Sequence, residues 1–331
     1  QTPVLHSHYL SELVGEDVYL KCENLQRTGA YKLRGAFNRM SKLTPAERKK
    51  GVVAASAGNH AQGVALAAKK LGIKATIFMP VGASLPKFQA TQNYGAEVVL
   101  EGAVFAETLK AAQAYSAQKG AIFIPPYDNI DVVTGQGTVG LEILDQVPDV
   151  KTILVSIGGG GLAAGVAVAA KLKAAQQGRK IKVIGVQSQN AASYVPSLKA
   201  GKEVEIKTSR TIADGIAVAK PGHIPFELIA KHIDKVVTVS DDEIAKAIVV
   251  LLERAKQVVE PAGAAAVAAI MSGAVKPKGK TVAVLSGGNI DPLLMQKIIG
   301  FGLTASERYT TISVMLPDRP GQLVKTAEAI A

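Results

Sequence analysis

The 331-residue chain has one cysteine, no tryptophan and few aromatics of any kind, with Phe, Trp and Tyr together at 5% of residues. A single thiol, Cys22, rules out an internal disulfide and leaves no cysteine cluster for structural zinc. No apolar run reaches membrane-spanning length, and the opening "QTPVLHSHYL" lacks the basic-then-apolar order of a signal peptide. The chain starts on Gln1 rather than methionine, so a removed leader stays open; the expected location is cytoplasmic. Blocks of like charge are also missing. The formal charge is +11, yet the basic residues are scattered over stretches such as "PAERKK" and "AAKKLG", without interleaved aromatics. That is a poor footprint for nucleic acid and a better one for a mild field attracting small anions. Neither nucleic acid nor a membrane is expected as a partner.

What is present suits a large core. Hydrophobic residues make up 48% of the chain, with Ala, Val and Ile plentiful. Short β-branched runs alternate with Ala-rich stretches at helical spacing, which predicts an α/β protein with mainly parallel sheets. "GVVAAS", "KATIFMP", "AEVVLEG" and "AIFIPP" read as strands of one series, with a long helix over residues 105–119. "TILVSIG", "KVIGVQ", "KVVTVS" and "TVAVLSGG" read as a second. Two lobes are therefore expected, the smaller over residues 40–138 and the larger over 1–39 and 139–305. The last stretch, 306–331, reads as one strand, a turn and one helix, too little to bury a core of its own.

Ligands of open parallel sheets bind beyond the carboxyl ends of the strands, and four unusual segments lie near such places. In "ENLQRTGAYKLRGAF", Lys32 sits among small and apolar neighbours at a helix start. Burial there would lower its pKa, as a Schiff-base lysine requires; a solvated lysine is the plainer alternative. In "SAGNHAQG", Ser56, Ala57, Gly58, Asn59 and His60 form a strand-to-helix turn that could hold a carboxylate or phosphate, or serve only as a cap. In "SIGGGGLAAG", Gly158, Gly159, Gly160 and Gly161 let backbone amides wrap a phosphate, and four in a row exceed any evident packing need. That segment also fits a dinucleotide fingerprint, but "KVIGVQ" ends in Gln187 where a ribose-binding acid is wanted, which disfavours a nicotinamide dehydrogenase. In "VLSGGN", Ser286 could meet a ring nitrogen or merely cap a turn.

Taken in order from residue 1 to about 305, these segments resemble the serine/threonine dehydratases among the fold-type II (tryptophan synthase β-like) pyridoxal-phosphate enzymes. The resemblance implies that Lys32 binds the cofactor covalently and acts as the base. It further implies that Asn59 bonds the cofactor's phenolic oxygen, Gly158–Gly161 cradle its phosphate and Ser286 faces its pyridine nitrogen. Ser56 through His60 would receive the substrate carboxylate. The implied reaction is dehydration and deamination of threonine to 2-oxobutanoate, with serine as a second substrate. A homodimer or homotetramer is expected.

Within that group, serine racemase and hydroxyaspartate ammonia-lyase are the alternatives. The racemases carry a second serine where this chain has Ala57, and an acidic metal-binding pair where it has Gln187 and Ser193. No divalent metal is therefore expected, while a monovalent cation held by carbonyls stays open. Glu260, in "VEPAGAA", matches a segment near the family's active site but receives no role beyond that of a helix-start carboxylate. "TISVMLPDRPGQL" resembles the opening of an ACT domain. A chain carrying only that opening is expected to be active without responding to isoleucine. A vestigial amino-acid sensor is the alternative from outside enzymology.

Overall fold

The computed structural model describes residues 1–310 and 312–330. The chain opens with β1 (Val4–His6), α1 (His8–Val14) and β2 (Val18–Cys22). After α2 (Lys32–Ser41) and α3 (Pro45–Lys50) come β3 (Val52–Ala55), α4 (Asn59–Leu71), β4 (Ala75–Met79), α5 (Leu85–Asn93), β5 (Glu97–Leu100), α6 (Phe105–Lys119) and β6 (Ile122–Phe123). α7 (Ile130–Gln146) then leads into β7 (Thr152–Ser156), α8 (Gly161–Gln176), β8 (Lys182–Ser188), α9 (Tyr194–Ala200) and α10 (His223–His232). β9 (Lys235–Val239), α11 (Asp241–Val250), α12 (Pro261–Met271), β10 (Thr281–Leu285), α13 (Pro292–Ala305) and α14 (Gln322–Ile330) follow.

Local chemistry sets many of these boundaries. Thr44 with Glu47 and Ser240 with Glu243 form reciprocal capping boxes at the starts of α3 and α11. Proline sits in the first turn of α3, α5, α12 and α13, where its missing N–H costs nothing. The parallel strands β3, β4, β7 and β10 are buried along their whole length, as strands covered on both faces must be.

The strands make two sheets, in the orders β5-β4-β3-β6 and β1-β2-β10-β7-β8-β9. All pairings are parallel except that of β1 with β2, at the edge of the larger sheet. Each sheet lies between two helical layers. In the smaller, α4 covers one face and α6 the other. In the larger, α1, α11 and α12 cover one face, and α7, α8 and α10 the opposite one. The α/β reading with parallel sheets flanked by helices is what the structure has. No described helix is long and apolar enough to cross a membrane.

The departures are local. The tail strand expected in 306–331 is not formed over residues 312–317, although the helix is present as α14. A lone edge has no partner to satisfy its backbone. Part of that expectation falls on residues 311 and 331, which lie outside the described residues. "AIFIPP" pairs over only two residues, because prolines 125 and 126 cannot extend the ladder. The ribbon β1–β2 and the helices α1 and α13 are additions to the sequence reading.

Candidate active site

Both sheets have a point where successive strands diverge to opposite sides, between β3 and β6 in one and beside β7 in the other. Crevices form at such points, and the residues beyond these strand ends meet between the sheets. Lys32 is the first residue of α2. Its amine donates to the carbonyl of Pro126, just past β6, at 2.8 Å. The loop before it is zipped to the loop after β10. Tyr31 N–H donates to Ser286 O, Gly288 N–H donates to Gly29 O, and Ala30 bridges Gly287. Lys32 and Ser286, far apart in sequence, are thus fixed to one another through the backbone.

Burial pushes the Lys32 amine down to about 8, against an opposing pull from Glu260. Near neutral pH such an amine is neutral in a far larger share of molecules than an ordinary lysine is. The solvated-lysine alternative does not describe this residue.

The turn from Ser56 to His60 joins β3 to α4. Ser56 Oγ accepts from Gly58 N–H at 3.1 Å. Among the described residues the amides of Ala57, Asn59 and His60 donate to nothing, so they stay available to an anion. Asn59 Nδ2 donates to Glu260 Oε1 at 2.6 Å. His60 is turned away: its ring is buried and bonds the carbonyl of Ile124 at 2.8 Å. Burial, with Lys32 nearby, lowers its pKa to about 3, so it stays neutral. Any share it has in holding a carboxylate comes through its backbone.

Gly158 to Gly161 fill the turn from β7 into α8. Packing does account for these glycines, contrary to the sequence reading. A Cβ on Gly158 would lie 3.0 Å from Ile216 Cα, and one on Gly159 would lie 2.5 Å from the Tyr127 ring. Gly160 has φ +98 and is overlain by the Tyr194 hydroxyl, while Gly161 abuts Tyr127. The ligand reading stands on a different observation. None of the amides from Gly158 to Leu162 donates to an acceptor among the described residues, although most of this turn is buried. Buried amides without acceptors are costly, and at a helix start they suit an anion such as a phosphate. Ser286 is buried as well, and its hydroxyl is 3.3 Å from Ser156 Oγ.

A lowered lysine amine, a pocket of unused amides and a neutral serine are the chemical set that a phosphorylated aldehyde with a basic ring requires. Pyridoxal phosphate fits these residues. Gln187 is committed elsewhere, its Oε1 accepting from Tyr194 N–H at 2.9 Å and its Nε2 donating to Ala191 O. That leaves no ribose acceptor at the end of β8.

Sequence reasoning missed Tyr127 and Tyr194, which wall the glycine turn; Tyr194 Oη donates to Gly159 O at 3.1 Å. No local motif marks either residue. Glu260 was singled out without a function. It stands at the N-cap of α12 but does not cap that helix. Burial raises it to about 7, with Asp214 adding to the shift, while Asn59, Lys87 and Lys32 act against it.

The chain belongs to the pyridoxal-phosphate dependent enzymes, whose family profile matches residues 1–287. It is 49% identical to the L-threonine ammonia-lyase of Thermotoga maritima over 332 aligned residues, covering all of this chain and 82% of that protein. It is 46% identical to the catabolic L-threonine dehydratase of Escherichia coli, with 91% of each covered. Among solved structures, the processed threonine deaminase isoform 2 of Solanum lycopersicum superposes with TM-score 0.86 at 40% identity, covering 91% of this chain and 87% of the other. Maize serine racemase superposes with TM-score 0.85 at 35% identity, covering 92% and 93%.

Proposed function

We propose that this chain is a threonine ammonia-lyase, converting L-threonine to 2-oxobutanoate and ammonia and L-serine, less efficiently, to pyruvate. The observation that carries the reading is the buried Lys32 amine, lowered to about 8 and bonded to the carbonyl of Pro126, next to the Tyr127 that walls the glycine turn and its unused amides. The names of the relatives support the choice of substrate.

Pyridoxal phosphate, when bound, supplies the electron sink for the pair left behind as the α-proton departs. Lys32 anchors it and then serves as the base for that proton, a task suited to a group titrating near neutral pH. The amides of Gly158–Gly161 hold the phosphate against the N-terminus of α8. The free amides of Ala57, Asn59 and His60, with Ser56, receive the substrate carboxylate and orient the α-proton toward Lys32, while the Asn59 side chain faces the ring oxygen of the cofactor. Ser286 faces the ring nitrogen as a hydroxyl too weakly acidic to protonate it. That would leave the bound cofactor a restrained electron sink, suited to elimination rather than transamination. Ala57 offers no proton on the opposite face, which works against racemisation. Residues 40–138 act as the small lobe, and 1–39 with 139–305 as the cofactor-binding lobe.

A cytoplasmic homo-oligomer belongs to the same proposal. The exposed apolar side chains of Ile130, Leu141 and Leu172 on α7 and α8 support assembly. A role in isoleucine biosynthesis, and a tail representing the start of an ACT domain, are the remaining parts.

The test is an absorbance spectrum with threonine and 2-oxo acid assayed together. The wild type is expected to show the visible band of lysine-bound cofactor and to form 2-oxobutanoate, and Lys32→Ala to lose both. A wild type that takes up no cofactor would overturn the reading.

A further inference from the structure

Glu260 forms part of a chain of carboxamides whose orientation is dictated by one backbone carbonyl. Thr28 O can only accept, so the Asn289 atom 2.6 Å from it is nitrogen. The other hydrogen of that nitrogen goes to Asn59 at 2.8 Å, so the Asn59 atom there is oxygen. The Asn59 nitrogen therefore faces Glu260 and requires an acceptor, which Oε1 provides at 2.6 Å. Two glycines make room for this chain. A Cβ on Gly29 would collide with Asn289, and one on Gly287 would collide with Glu260 Oε1 and lie 3.1 Å from Asn59 Nδ2. Glu260 makes no bond to the amides of its own helix, so helix capping does not explain it. Asn59 Nδ2 carries two hydrogens, and only one is taken by an acceptor among the described residues.

We propose that Glu260 is the positioning residue for Asn59: by accepting one N–H, it fixes the carboxamide so that the second is donated to the ring oxygen of the bound cofactor. The inference rests on the functional reading above and adds to it the group that holds Asn59 in place. Without the acceptor, the carboxamide keeps only its bond to Asn289 and can turn about its Cβ–Cγ bond. Glu260 acts through Asn59, so replacing it should matter only while Asn59 is present.

The experiment uses the full-length protein loaded with pyridoxal phosphate. It reads the position of the visible absorbance band and the dissociation constant of the cofactor, obtained by titrating apoprotein. Glu260→Ala is expected to shift the band and weaken cofactor binding about tenfold, the size of one lost hydrogen bond. Glu260→Gln, whose carbonyl oxygen can accept the same N–H, should recover most of both. The double variant Asn59→Ala/Glu260→Ala should bind no more weakly than Asn59→Ala alone. Asn289→Ala, which frees the other end of the same carboxamide, should shift the band in the same direction and guards against a Glu260→Ala that does not fold.

An unchanged band and affinity in Glu260→Ala would overturn the proposal while leaving the functional reading intact. So would additive losses in the double variant, or a Glu260→Gln as impaired as Glu260→Ala, which would assign the effect to charge. A wild type without the band would overturn the functional reading and this proposal together.

Discussion

At the residue scale, most of the chemistry follows from one buried amine. Burial lowers Lys32 to about 8, and the attraction of Glu260 is too weak to restore it. Only the neutral amine attacks an aldehyde, so the rate at which apoprotein captures pyridoxal phosphate should rise with pH and level off above about 8. A stopped-flow series following the visible band checks this, and a rate still climbing toward pH 10 would show that Lys32 titrates like a solvated lysine. Ala57 is the second decisive residue. On the proposed reading a hydroxyl there would supply a proton donor on the face opposite Lys32, so Ala57→Ser should raise serine racemisation about tenfold. Chiral analysis of the serine pool after incubation gives the answer; an unchanged ratio would mean that something other than the missing hydroxyl suppresses racemisation. Lys32, Asn59 and Ser286 could be singled out as candidates because each sits in a short segment with an unusual neighbourhood. The contacts of Glu260 could not be read, since they run through Asn59 to Asn289 and Thr28, which only folding brings together.

At the scale of elements, the site depends on how α2 is held. Arg34, one half-turn beyond Lys32, donates to Glu23 and to both oxygens of Glu142. Lys21, wholly buried in β2, donates to the same Glu142 at 2.6 Å and to Gln146 at 2.8 Å. Burial lowers the Lys21 amine despite this partner. For Glu142, burial pulls upward but the bonds from Arg34 and Lys21 win, holding it at about 2 against an ordinary 4.5. A depressed carboxylate contributes stability above its unfolded pKa, and that contribution is lost as pH falls through the folded value. The protein should therefore lose stability between pH 4.5 and 2. Glu142→Gln should cost about 3 kcal/mol at neutral pH, the usual effect of breaking a buried pair, and show a shallower acid limb. Thermal melts across this range decide the matter, and parallel acid limbs would dismiss Glu142 as the titrating group. The network also explains why β2 went unread. A lysine in mid-strand looks like a solvent position, and its partners on α7 are more than a hundred residues away.

At the scale of the whole molecule, the alternation of strands and helices was readable because both sheets are parallel but for the β1 edge, and their central strands are covered on both faces, giving continuous apolar runs. In the tail, the strand that its pattern suggests is not formed over residues 312–317, while the helix is present as α14. Residues 312–330 contribute one helix, and the apolar side chains of the helix and of the stretch before it face solvent; Leu323 is 74% exposed and Met315 99%. A single helix in that condition adds little to stability. The strongest tie in this region precedes it, the bidentate pair of Arg308 with Glu253. Removing residues 309–331 should therefore leave the melting temperature within about 2 °C of the intact chain, less than 1 kcal/mol for a protein of this size. Threonine turnover should be unchanged and self-association reduced, because exposed apolar surface is lost. Any response to isoleucine should be the same in both forms, since an effector shifts an equilibrium only through differential contacts with two states and residues 312–330 are almost wholly exposed. A melting temperature lower by more than about 5 °C, or an isoleucine response abolished by the truncation, would show that the tail docks on the body of the enzyme and regulates it.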